Sequence, residues 1–149
     1  MSRFLVDTNV LLRIAATNDL QHAVALSAIG LLFDAGLLPC LTTQVACEFL
    51  AVATRPPEAN GLGLNHAAAI GSFKRMTRPF GFLADSQGVY ELLLEIIERY
   101  RVTGKVVHDA RLVATMLANE VPQILTFNPD DFRRFAPEIQ VLEPERIAS

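Results

Sequence analysis

Phe4-Leu5-Val6-Asp7-Thr8-Asn9 decides how the chain is read, because three apolar residues run straight into an aspartate with helix-forming sequence behind it. An uninterrupted apolar run suits a strand covered on both faces, and ligands in open α/β sheets gather beyond the carboxyl ends of the strands. Asp7 is expected at such an end. Asp, Thr and Asn are also good helix N-caps, and on this stretch taken alone a plain cap for the helix starting near Val10 is the readier reading of Asp7.

Outward from that stretch, strand and helix signals alternate. Residues 10–16 read as a short helix. A longer one starts near Asn18 or Asp19 and ends at Gly36; its apolar residues fall on more than one face, so it is expected to be mostly covered. Residues 37–41 read as a strand in which Pro39 favours an edge or first position. Thr42 or Thr43 caps a helix over about 44–53, Asn65 caps one to about Met76, and Asp85 or Ser86 caps the clearest amphipathic helix, to Tyr100. Another helix opens at His108-Asp109. Residues 80–83, 123–126 and 139–142 read as short strands, and 127–132 as a turn with a short helix. This alternation predicts one α/β domain over residues 1–149 with a mostly parallel sheet.

Hydrophobic residues make up 51% of the 149 and charged residues 19%, a more apolar balance than typical globular chains. The excess predicts a surface buried against a partner. A formal net charge of -3 excludes a broadly basic nucleic-acid-coating protein but leaves room for a local basic patch. Glu48 and Asp34 interrupt the most apolar stretches, so none approaches the roughly 20 residues of a membrane span. Asp7 and Arg13 break any signal-type apolar core, and a cytoplasmic location is expected. Cys40 and Cys47 form neither a CxxC pair nor a disulfide scaffold.

Three acidic residues occupy settings that simple solvation does not explain. Asp7 ends a strand, Glu48 sits beside the Val45, Phe49, Val52 stripe of an almost wholly apolar helix, and Asp109 lies in a helix's first turn. If they converge at one end of the sheet, their repulsion calls for a cation, and hard oxygen ligands suit Mg²⁺ or Mn²⁺. Such a site supports phosphoryl chemistry. Thr126 is placed to hydrogen-bond a carboxylate, and Asn128 offers an uncharged oxygen. Asn128 ranks ahead of Asp131, which reads as a helix-start or surface aspartate, although Asn128-Pro129 suits a plain turn as well. Phosphate contacts would need cations: Arg55, Lys105 and Arg111 lie near the acidic motifs, with Lys74, Arg75, Arg78 and Arg133, Arg134 as further clusters.

The carrying motifs are Leu5-Val6-Asp7-Thr8-Asn9; Glu48-Phe49 followed by Ala53-Thr54-Arg55-Pro56; Asn60-Gly61-Leu62-Gly63-Leu64; Gly104-Lys105 with Val107-His108-Asp109-Ala110-Arg111; and Leu125-Thr126-Phe127-Asn128 with Asp131-Phe132. In this order and spacing they resemble those of PIN-domain proteins, specifically the VapC toxins of bacterial type II toxin-antitoxin systems. The resemblance implies a three-layer α/β/α fold around a mostly parallel sheet. It also implies a Mg²⁺-dependent endoribonuclease that cleaves RNA phosphodiester bonds with a metal-activated water. Asp7 and Asp109 would be metal ligands, with Glu48 completing the acidic site and Thr126 and Asn128 supporting it. Asn9, Arg55 and Arg111 are the expected substrate contacts, and a homodimer and an antitoxin complex are the expected assemblies.

Many family members carry an acidic residue where Asn128 stands. Asn also occurs there, so the departure questions a second metal ion rather than activity. Two other readings stay open: a housekeeping RNA-processing PIN nuclease without an antitoxin, and an RNA- or protein-binding module whose metal site is vestigial. A phosphatase of the haloacid-dehalogenase type fits poorly, because Asp7-Thr8-Asn9 lacks the second aspartate of that family's first motif.

Overall fold

The computed structural model describes residues 1–149. Five strands, β1 (Ser2–Val6), β2 (Leu37–Leu41), β3 (Gly81–Phe82), β4 (Gln123–Leu125) and β5 (Gln140–Leu142), form one sheet in the order β3-β2-β1-β4-β5. Every pairing is parallel. The apolar run behaves as its composition dictates: β1 is the central strand, and Phe4, Leu5 and Val6 are fully buried between the two helical layers.

The helices are α1 (Thr8–Ala15), α2 (His22–Asp34), α3 (Thr43–Thr54), α4 (His66–Thr77), α5 (Gln87–Tyr100), α6 (Val106–Ala118), α7 (Asp130–Arg133) and α8 (Pro144–Ala148). They fall into two packing groups. In the first, α1 packs on α2 and α3, α3 on α4, and α2 on α8; in the second, α5 packs on α6. This is the α/β/α layering expected from sequence. From β1 the chain moves outward through β2 and β3, then crosses back to lay β4 against the other side of β1. The strand order therefore reverses between β1 and β4, where open α/β sheets place their crevice.

Several expectations need correction. Pro39 is not on an edge strand, since β2 lies between β1 and β3. Its neighbour β3 reaches only Cys40 and Leu41, however, so Pro39 stands where that side of β2 is locally unpaired and needs no ladder donor. Helix α2 is not mostly covered: Ala25, Ala28 and Leu32 are buried, whereas Leu26, Leu31 and Phe33 are close to half exposed. Its apolar residues encircle the helix but only one face has something to pack on. The C-terminal α8, which seats against α2, carries too short a signal to be read from sequence.

The glycine-rich stretch after α3 does a definite job. The amides of Leu62, Gly63 and Leu64 donate to the carbonyls of Val52, Arg55 and Ala53, so the loop folds back and closes the open end of the helix. Gly61 lies so close to the Arg55 backbone that a Cβ there would collide with it.

Candidate active site

Asp7 follows β1 directly, and its amide continues the ladder by donating to the Leu125 carbonyl at 3.0 Å. Its extended backbone (φ -70°, ψ 153°) leads into α1, and Oδ1 accepts the Thr8 amide at 2.8 Å. Asp7 is thus a helix cap, but with only one of its oxygens. The other, Oδ2, accepts the Thr126 hydroxyl at 2.8 Å and the Asn9 side-chain amide at 3.2 Å.

Thr126 is fully buried and uses all its hydrogen-bonding capacity. Its hydroxyl donates to Asp7 and accepts from Asn9 Nδ2 and the Asn128 amide, both at 3.0 Å. Asn9 Oδ1 in turn accepts the Phe127 amide at 3.0 Å. The ends of β1 and β4 are therefore stitched across the crevice.

Two helices bring the other carboxylates. Thr42 Oγ1 accepts the Val45 amide at 3.1 Å and starts α3, which presents Glu48 on its second turn. Glu48 Oε1 is buried with no hydrogen-bond partner. Gly104, in the left-handed region at φ 63°, leads into α6, whose first turn carries Asp109. An open pocket of about 590 Å³ lies between the two helices. Glu48, Asp109 and Asp131 line it together with Lys105, His108 and Arg111.

The electrostatics of this group are unfavourable as they stand. Burial pushes the Asp7 carboxyl up to about 6; the Thr126 and Thr8 hydrogen bonds oppose this, and the charges of Glu48 and Asp131 add to it. Asp109 is also pushed up to about 6, first by burial and then by Asp131, Asp7 and Glu48, with His108 opposing. Although Asp7 does not itself line the pocket, it shares one field with the three carboxylates that do.

These residues suit a hard divalent cation. Asp7, Glu48 and Asp109 offer anionic oxygens, and one buried oxygen of Glu48 lacks a partner. No three acidic, histidine or cysteine side chains are drawn tightly enough to enclose an ion unaided. The fit rests on the donor chemistry and on that unpartnered oxygen.

The remaining expected site residues separate. Arg111 lines the pocket and is held by Asp85 at 2.8 Å. Arg55 does not line it; it caps the far end of α3, nearly two turns beyond Glu48. Asn9 is no free substrate contact, because its side-chain oxygen and nitrogen are both engaged within the Asp7–Thr126 network. The geometry also reverses the ranking of Asn128 and Asp131. Asp131 lines the pocket and raises both perturbed aspartates, whereas Asn128 contributes its backbone amide to Thr126. The turn at Asn128-Pro129 places position 131, not 128, beside α6. Lys105 and Gln44 also line the pocket. Gln44 was legible only through its spacing, four residues before Glu48 and so on the same helix face.

Fold and site together define a parallel α/β protein with a carboxylate-rich crevice at its topological switch point. The family model of the PIN domain matches residues 4–137, and the chain belongs to that family. Among solved structures, it is similar to VapBC2 from Rickettsia felis bound to a promoter DNA fragment, with a TM-score of 0.72 at 12% identity, covering 95% of this chain and 98% of that one. VapBC-1 from nontypeable Haemophilus influenzae gives 0.69 at 13%, covering 96% and 98%. Mycobacterium tuberculosis VapC20, a sarcin-ricin loop cleaving toxin, gives 0.59 at 16%, covering 81% and 86%. At these identities the likeness is one of fold. A search of curated proteins finds no match to this sequence.

Proposed function

We propose that the protein is a divalent-metal-dependent endoribonuclease, and the toxin of a toxin-antitoxin pair. The observation that carries this reading is the charge imbalance at the crevice: burial and neighbouring carboxylates oppose the ionisation of Asp7 and Asp109, and Glu48 has a buried unpartnered oxygen. A cation would relieve all three. Membership of the PIN family and the likeness in fold to a sarcin-ricin loop cleaving toxin and to VapBC structures support it further.

A bound Mg²⁺ or Mn²⁺ supplies Lewis acidity toward a phosphate oxygen and the counter-charge the carboxylates lack. Asp7, Asp109 and Glu48 would hold it. Thr126, Thr8 and Asn9 hold the Asp7 carboxylate in one orientation before anything binds, so little reorganisation remains to be done. Asp131 adds a fourth negative charge from α7. Lys105, which forms no ion pair, and Arg111, steadied by Asp85, put positive charge at the rim, where it offsets the repulsion between an acidic protein and a phosphodiester. Thr126 and the Asn128 amide support the first strand's carboxylate rather than the substrate.

The test is cleavage of total RNA by the purified protein in Mg²⁺, Mn²⁺ or EDTA, with Asp7→Asn and Asp109→Asn alongside. Cleavage should require the metal and vanish in both variants. Full activity in EDTA, or in both variants, overturns the nuclease reading. Growth arrest on induction, relieved by the product of an adjacent small gene, supports the toxin role; RNA cleavage without arrest favours a housekeeping nuclease.

A further inference from the structure

Glu48 and Asp109 stand on two helices that share little packing along their lengths. The pocket runs between α3 and the start of α6, and several carboxylates face into it, so charge repulsion works to part the helices. One direct polar link opposes it. Gln44, only 7% exposed, donates from Nε2 to the His108 carbonyl at 2.8 Å, one residue before Asp109. Because a carbonyl only accepts, the amide nitrogen must face His108, and this fixes the side chain's orientation. Its Oε1 is left buried without a hydrogen-bond partner, as is Oε1 of Glu48 one helical turn further on.

We infer that Gln44 is a positioning residue for the metal centre: its amide sets the spacing between Glu48 on α3 and Asp109 on α6. This rests on the nuclease reading of the same crevice. In this role Gln44 acts through its hydrogen bond to the His108 backbone and not as a ligand. It fixes the backbone that carries one ligand to the helix that carries another, in the way that outer partners of a metal site orient its ligands. No other side chain on α3 hydrogen-bonds to α6. An apolar replacement of the same length fills the space without the link.

The experiment is calorimetric titration of the full chain with Mn²⁺, paired with thermal unfolding of the metal-free protein. Gln44→Met should weaken Mn²⁺ binding about 10- to 100-fold, the loss typical of removing an outer partner. Its metal-free melting temperature should stay near that of the unmodified protein, because the repelling helices are partly relieved when they part. Gln44→Asn keeps the amide on a stem one methylene shorter, and should also bind weakly. Unchanged Mn²⁺ affinity in Gln44→Met overturns the inference, as does a lowered melting temperature with unchanged affinity. If Gln44→Met does not fold, the affinity of Gln44→Asn decides in the same way. An unmodified protein that binds no Mn²⁺ overturns the nuclease reading and this inference with it; equal binding in all three proteins overturns this inference alone.

Discussion

At Asp109 charge and stability oppose each other. Its folded-state carboxyl titrates near 6 against an ordinary 3.8, as does that of Asp7. The folded protein therefore binds these protons more tightly than the unfolded chain does. The linked stabilisation is complete below about pH 4 and is lost as pH rises through about 6. For Asp7, which is almost fully buried, the change is on the order of 3 kcal/mol; Asp109 contributes less, since solvent screens it. Metal-free protein in EDTA should accordingly melt higher at pH 5 than at pH 7.5, and a flat or inverted profile would contradict this assignment. Asp109→Asn removes the charge without removing a hydrogen bond, so it should abolish cleavage while raising the metal-free melting temperature at pH 7.5. A lower melting temperature would mean that the carboxylate stabilises the fold. Thr126→Val should behave oppositely: Asp7 loses a donor, the Asn128 amide loses its acceptor, Asn9 Nδ2 keeps only Asp7, and the cost is about 1–3 kcal/mol by chemical denaturation. Thr126→Ser should retain most of that stability.

Among the elements, those that carry the site were the most legible. β1 declares itself by an unbroken apolar run, and Thr42 and Asn65 cap α3 and α4 as their chemistry predicts. β3, only two residues long, falls inside the apolar stretch 80–83 read as a strand, whereas α2 looks covered because composition cannot say which of its faces meets a neighbour. The same limit governs the site. Asp7, Glu48 and Asp109 are marked by their local settings, whereas the engagement of Asn9 depends on Thr126 and Phe127, more than a hundred residues away. Asp131 depends on the angle of a turn. The loop that closes α3 yields a prediction of its own. Gly61→Ala forces a methyl group into the Arg55 backbone and should destabilise the protein by roughly 1–3 kcal/mol, the usual cost of overpacking. An unchanged denaturation midpoint would show that the loop yields freely.

For the whole molecule, a cation that binds only the folded state raises its stability by mass action. Adding Mg²⁺ or Mn²⁺ at pH 7.5 should increase the melting temperature of the unmodified protein and leave that of Asp109→Asn unmoved; equal shifts would place the ion elsewhere. No helix is long and apolar enough to cross a membrane. The site also has a place in time. Asp7 stands just past β1, yet the hydroxyl that orients it lies 119 residues further along, just past a strand that docks beside β1 only after β2 and β3 have been synthesised. Until β4 has been made, only the neighbouring Thr8 amide and Asn9 side chain are at hand to hold this carboxylate. The order of the strands therefore delays assembly of the crevice until β4, which forms the other side of the switch point, has been made.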